Sequence, residues 1–284
     1  MRIITTLEEL RALEPPRHGE SPGRRAVVMT MGALHAGHLA LMRTARTSAD
    51  QVVATIFVNP LQFNDADDLD NYPRTLEADA ALLEGVGVDV LFAPDLTTMY
   101  PDGDPTVTVN AGAIGDILEG AHRPGHFDGM LTVVLKLMHL VQPDVAFFGQ
   151  KDAQQLIAIR AMVRDLDLPV SIVPVPTVRD SDGLALSSRN VHLTDDERAR
   201  ALSLSRALNA ARAAAETGAS RDDALAAGRE ILASTSGVEV DYLEALDPAD
   251  AQPVPSGYRG DVVIAVAAHV GATRLIDNVL THLR

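Results

Sequence analysis

Two histidines flank a glycine in the stretch AVVMTMGALHAGHLALMR, residues 26–43: His35, Gly37 and His38. Imidazole N–H groups can donate hydrogen bonds to charge that builds on phosphorus-bound oxygens. Gly37 carries no side chain, which lets a flat base or a phosphate approach the backbone. The apolar run from Ala26 to Met29 reads as a buried parallel strand. Leu39, Leu41, Met42 and Ala45 then follow a helical pattern. The histidines therefore stand between a strand's carboxyl end and a helix's amino end. Open α/β sheets bind ligands there, and the unpaired N–H groups of the helix suit a phosphate. The competing reading is that both histidines only cap the helix.

A second group of candidates repeats this placement. Lysine occurs only at positions 136 and 151 among 24 basic Lys and Arg residues. Lys136 lies among Val134, Leu135, Leu137 and Met138, and reads as structural, its stem on apolar surface and its head in water. Lys151 follows a predicted strand at residues 144–148 and precedes a predicted helix at 153–165, where a compact charge can meet a phosphate oxygen. Gln155 lies one helical turn beyond it. Leu186-Ser187-Ser188-Arg189-Asn190 offers hydroxyls, a guanidinium and an amide, a composition that suits either a loop over a polyphosphate or a solvated turn. Gln62, between Leu61 and Phe63, suits a small-substrate pocket. Asn59 precedes Pro60 and fits a pocket or an ordinary turn equally. EGAHRPGHFDG, residues 119–129, gathers polar donors before an apolar helix predicted over 130–141.

The elements that would position these groups alternate strand and helix. Strands are predicted at 2–5, 26–29, 51–58, 88–92, 144–148 and 169–173, with a short edge strand at 106–109. Helices are predicted at 7–13 and 75–84. Residues 14–24 read as an exposed loop, and the acidic run 65–70 reads as a solvated loop or, alternatively, a magnesium site. Pro174-Val175-Pro176 marks a boundary, giving domains 1–177 and 178–284. Beyond it come helices from Thr194-Asp195-Asp196-Glu197 to about 215 and at 221–232. Strands at 238–246, 262–268 and 273–279, the last two joined by a turn at 269–272, complete a small α+β cap with few clustered functional groups. A net charge of −15 argues against a broad nucleic-acid surface. The absence of cysteine excludes disulfides, thiolate chemistry and cysteine-bound zinc. MRIITTLEEL has no apolar signal region and no run reaches membrane-spanning length, so the expectation is a soluble, cytoplasmic chain with no membrane partner.

The HxGH string resembles the signature of the class I aminoacyl-tRNA synthetase and nucleotidyltransferase superfamily. TMGALHAGH, IFVNPLQF, YPRT, LTVVLKL, FFGQKDAQQL and VPTVRDSDGLALSSRN, in this order, are together similar to the pantothenate synthetase (pantoate–β-alanine ligase) family. The resemblance is strongest from Val27 to Asn190. It implies an α/β fold, a Rossmann-like parallel-sheet domain with a smaller α+β carboxyl-terminal lid, assembled as a homodimer. It implies condensation of pantoate with β-alanine using ATP and Mg2+, through pantoyl adenylate, with release of AMP and pyrophosphate. By resemblance Met31, Gly32, Ala33, Leu34, His35, Ala36, Gly37 and His38 contact ATP, with His38 as proton donor and His35 and Lys151 as further catalytic groups. Gly149, Gln150, Lys151, Asp152, Val178, Leu186, Ser187, Ser188 and Arg189 complete the ATP site. Gln62 and Gln155 hold pantoate, and Gln62 also meets β-alanine. The resemblance assigns no metal ligands. Two positions depart from the family pattern: Gln150 stands where FGEKD has glutamate, and Leu186 where MSSRN has methionine. Two rival readings are an HxGH nucleotidyltransferase acting on a phosphorylated acceptor, and a non-catalytic nucleotide-binding module.

Overall fold

The apolar runs of the amino-terminal part assemble side by side. The computed structural model describes residues 1–284, the side chain of Ala66 excepted. The chain divides into two compact units, Met1–Gly149 with Ala158–Val175, and Gln150–Ile157 with Pro176–Arg284.

The first unit runs β1 (Arg2–Ile4), α1 (Leu7–Arg11), β2 (Arg17–His18), β3 (Ser21–Pro22), β4 (Arg25–Thr30), α2 (Ala36–Arg46), β5 (Gln51–Ile56), α3 (Ala66–Asp70), α4 (Leu76–Gly85), β6 (Val90–Phe92), α5 (Leu96–Met99), α6 (Glu119–His122), α7 (His126–Val141) and β7 (Val145–Gly149). The helix α8 (Ala153–Asp165) and strand β8 (Ser171–Val175) follow. Six strands form one sheet in the order β1-β6-β5-β4-β7-β8, every pair parallel. This is a Rossmann-like sheet flanked by helices. β4 is central, and Ala26, Val27 and Val28 are fully buried, which is why that stretch carries no polar alternation. The chain leaves β4 toward β5 on one side, while β7 lies on the other. The crevice outside the ends of β4 and β7 is thus a topological switch point, the usual ligand position in such sheets.

The second unit contains α9 (Asp195–Glu216), α10 (Arg221–Ala233), β9 (Val238–Leu246), β10 (Gly260–Val270) and β11 (Thr273–Leu283). The three strands form an antiparallel sheet in the order β11-β10-β9. Thr194 and Glu197 form a reciprocal cap at the start of α9. Alanines and leucines of α9 and α10 pack on Val262, Ile264, Val266 and Leu275 to make this unit's core.

Several expectations need correction. Residues 106–109 form no strand; Val109 N–H donates instead to Thr132 Oγ1 on α7, at 2.9 Å. The acidic run is the short helix α3, capped by the Asp65 side chain on the Asp67 N–H. The 14–24 loop holds the β2–β3 ribbon. The helix α7 begins at His126, so part of EGAHRPGHFDG lies inside it. β8 is shifted to include Pro174, which an edge strand tolerates because its N–H is not needed. β10 and β11 run longer than predicted, joined by Gly271 and Ala272 alone. The Lys136 head does not reach out to water: it donates to the Met99 carbonyl and lies 4.9 Å from the Tyr100 ring centre.

Candidate functional site

Thr30 ends β4, and the backbone then turns through Gly32 at φ +90° and Ala33 at φ +51°. A left-handed alanine is costly unless something holds it. Asp79 of α4 supplies the hold. Its carboxylate accepts the N–H of Ala33 at 3.0 Å, the N–H of Leu34 at 2.8 Å and the Thr75 hydroxyl at 3.1 Å. Asp79 is only 2% exposed. The turn delivers His35 to the N-cap of α2. His35 Nδ1 accepts the Gly37 N–H at 3.1 Å, and His38 Nδ1 accepts the His35 N–H at 3.3 Å. The ring centres are 4.2 Å apart. Both histidines therefore cap the helix, as the competing reading held. The same bonds also fix the tautomer: an Nδ1 that accepts cannot carry the proton, so Nε2 carries it in each ring. Two imidazole N–H donors are thereby oriented at the amino end of a helix. Gly37 has a local structural reason as well. A Cβ there would lie 2.8 Å from His35 Cε1, so the glycine makes room for the capping ring.

Gln62 closes a 3-10 turn, Pro60–Gln62, after β5 and is 8% exposed. Its Nε2 meets Met31 Sδ at 3.0 Å, and its Oε1 accepts from Asn59 Nδ2 at 3.2 Å. Asn59 is itself fixed by donating to the Gly129 carbonyl and accepting from Tyr100 Oη at 2.9 Å. Burial, together with the Asp104 charge, pushes the Tyr100 phenol up to about 12, so it stays a donor at any neutral pH. Arg123 and His126 Nδ1 both donate to the Gln62 carbonyl, at 3.2 and 2.8 Å. Gly129 permits this approach, since a Cβ there would sit 2.1 Å from the Leu61 carbonyl oxygen. Asn59 thus orients Gln62 and is not simply a turn residue.

In the second unit, Lys151 is half-buried, its Nζ 3.7 Å from the Asp152 carboxylate. Gln155 stands in the first turn of α8. Val178 and Leu186 are paired through a main-chain hydrogen bond of 2.9 Å. That hairpin is braced on two sides. Arg179 makes a two-pronged contact with Asp277 at 2.6 and 2.9 Å, and Arg198 bridges Asp180 and Asp182. The Leu184 N–H and Arg198 hold the Asp182 carboxyl below its usual range, and the two carboxylates push Arg198 up. Ser187 caps the turn Ser188–His192 through the Arg189 N–H. Lys151, Ser187, Arg189, Asn190, Arg274 and Asp277 line one cleft, where Asn190 Oδ1 is buried without a partner.

The predicted site residues thus fall into two sets. Met31–His38, Gln62 and Gly149 belong to the first unit, and Gln150–Asp152, Gln155, Val178 and Leu186–Arg189 to the second. Asp79, Tyr100, Asp277 and Arg274 escaped the sequence reading. Asp79 did leave a signal: a carboxylate four residues before the fully buried Leu83, on the face that packs inward. Replacing Asp79 by alanine is expected to strand two partly buried N–H groups, costing about 3 kcal/mol and lowering the melting temperature by roughly 6–12 °C. Asp79→Asn keeps the volume but turns an N–H toward a donor. It is expected to displace the turn and with it the two imidazoles, which the loss of the Ala33 and Leu34 N–H protection from hydrogen exchange, measured beside a melting curve, would test.

No three His, Asp or Glu side chains gather as a metal cage among the described residues. Among the same residues no helix is long and apolar enough to cross a membrane.

A family model described as pantoate-beta-alanine ligase matches residues 2–280. The chain is 54% identical to a pantothenate synthetase of Thermobifida fusca (strain YX), covering 98% of this chain and 94% of that protein. It is 51% identical to one from Corynebacterium glutamicum (strain R), covering 98% and 99%. Among solved structures, a pantothenate synthetase from Thermus thermophilus superposes with a TM-score of 0.89 at 48% identity, covering 98% of this chain and 99% of that one. A pantoate-beta-alanine ligase from Francisella tularensis, solved as a complex with beta-gamma ATP and beta-alanine, gives 0.77 at 33% identity, covering 99% and 97%.

Proposed function

Because the chain belongs to the pantoate–β-alanine ligase family, we propose that its two sets of site residues divide the adenylation of pantoate between them. The enzyme condenses pantoate with β-alanine to give pantothenate, and ATP drives the step. In the first half-reaction a pantoate carboxylate oxygen attacks the α-phosphorus. The bond from that phosphorus to its bridging oxygen breaks, and pyrophosphate leaves. The β-alanine amine then attacks the acyl carbon of pantoyl adenylate, loses a proton and displaces AMP.

A carboxylate is nucleophilic at neutral pH, so the first step needs position and charge stabilisation rather than a base. His35 and His38 supply two oriented N–H donors at the amino end of α2. Lys151 and Arg189 add fixed positive charge toward the polyphosphate, and Ser187 and Ser188 add hydroxyl donors. Gln62, locked by Asn59 and Met31, and Gln155 orient pantoate; Gln62 also meets β-alanine. Met31–His38, Gly149–Asp152, Val178 and Leu186–Arg189 cradle ATP. Leu186 in place of methionine keeps the side-chain volume. Mg2+ enters as part of MgATP, since this ion binds phosphate oxygens and retains waters with few protein ligands. Family membership supports a homodimer and a cytoplasmic setting; light scattering of the purified protein checks the first.

The observation that carries this reading is the pair of Nδ1 acceptors that fixes both HxGH imidazoles as Nε2–H donors. The experiment is ATP–pyrophosphate exchange with Mg2+, with and without pantoate, and without β-alanine. Exchange that needs pantoate supports the adenylate route. Exchange that ignores pantoate, or ATP binding without exchange, overturns it in favour of another acceptor or a binding module.

A further inference from the structure

The carboxyl-terminal strand β11 carries two adjacent buried polar residues, Asp277 at 4% and Asn278 at 6% exposure. Buried polar groups on a strand need a reason. Adjacent strand residues face opposite ways, and these two hold different segments. Asp277 holds Arg179, at the base of the hairpin that carries Val178 and Leu186. Asn278 points its amide at the turn before α8. Its Nδ2 donates to the Gln150 carbonyl at 2.9 Å and to the Lys151 carbonyl at 2.8 Å. The Asn278 N–H in turn donates to Asp277 Oδ1 at 2.8 Å, so the two residues are tied together. Two successive carbonyls fixed by one amide leave the Lys151 peptide little freedom, and Lys151 lines the same cleft as Ser187, Arg189 and Asp277.

We propose that Asn278 is a positioning residue for the reaction: its side-chain amide clamps the Gln150 and Lys151 carbonyls and thereby sets the aim of the Lys151 ammonium at the ATP phosphates. This rests on the proposed role of Lys151. Asn278 touches no substrate; it acts through Lys151. An amide is required because it offers two hydrogens from one nitrogen. Aspartate has the same shape and offers none, and it would set a carboxylate against two carbonyl oxygens. Serine offers one.

The test is a mutant cycle. Asn278→Asp and Asn278→Ser are made in the wild-type and Lys151→Ala backgrounds, with Val279→Ala as a neighbour in the same core. The readouts are kcat and KM for ATP and for pantoate in pyrophosphate exchange, ATP binding by calorimetry, and melting temperature. Asn278→Asp is expected to lower kcat/KM for ATP about tenfold or more, with KM for pantoate within about twofold. Asn278→Ser should fall between it and wild type. In the Lys151→Ala background the same substitutions should change the rate less than about twofold, because the residue they act through is gone. Val279→Ala should lower the melting temperature and leave the ATP constants alone. Wild-type ATP constants in folded Asn278→Ser overturn the proposal, and so do equal losses in both backgrounds, which would mean only a weakened fold. If wild type shows no pantoate-dependent exchange, the functional reading fails. Calorimetry with ATP still decides the clamp, since Asn278→Ser should then weaken binding only where Lys151 is present.

Discussion

Alanine at position 38 is expected to reduce pantoate-dependent ATP–pyrophosphate exchange at least about a hundredfold, the scale of one lost electrostatic contact to a transition state. His38 serves the helix and the chemistry through different nitrogens, and the two contributions differ in size. Its Nδ1 takes the His35 N–H at the start of α2. Losing that bond costs about 1 kcal/mol of stability, as helix caps do. A hundredfold in rate is about 2.7 kcal/mol of barrier and must come from Nε2. Asparagine separates them. Its amide oxygen sits directly on Cγ, as Nδ1 does, and can still accept the His35 N–H, whereas nothing in it reaches one atom further out to where Nε2 stands. His38→Asn should therefore melt close to wild type and lose exchange as fully as His38→Ala. Exchange within about tenfold of wild type in folded His38→Asn would leave His38 a cap and nothing more.

How much of this was legible in the sequence depends on distance along the chain. The β4–α2 junction was, because strand, glycine turn, cap and helix lie within twenty-two residues and each leaves a local pattern. The fold class followed from alternation of apolar runs and helical periods. Asp79 was harder: its partners, Ala33 and Leu34, lie some 45 residues earlier and are main-chain groups, which have no residue type to read. Asn278 was harder still. Its partners, the carbonyls of Gln150 and Lys151, are 128 and 127 residues away, and a single Asn in a strand looks like any other polar position. Residues 106–109 failed for the opposite reason. Thr-Val-Thr-Val alternates as a strand does, yet it pairs with no neighbouring strand, and α7 side chains take the N–H groups of Val109 and Ala111.

The chain's two lysines make the second large prediction internally controlled. The Lys136 head is held by the Met99 carbonyl and the Tyr100 ring, so its charge is committed within the first unit. Lys151 has a loose partner, Asp152 at 3.7 Å, and shares a cleft with Ser187 and Arg189. Gln150 beside it carries no charge, so its neighbour does not offset the ammonium. A unit charge about 4 Å from a phosphate oxygen is worth about 4 kcal/mol at an effective dielectric near 20, more than enough for a hundredfold. Lys151→Ala is therefore expected to lose at least about a hundredfold in exchange with little change in melting temperature, since the side chain fills no core position. Lys151→Arg should recover little, because the planar fork is wider than a compact ammonium. Lys136→Met should do the reverse, lowering the melting temperature and sparing exchange. If Lys136→Met lost exchange while Lys151→Ala retained it, charge at the phosphate would have been assigned to the wrong lysine, and with it the role of the β7–α8 turn.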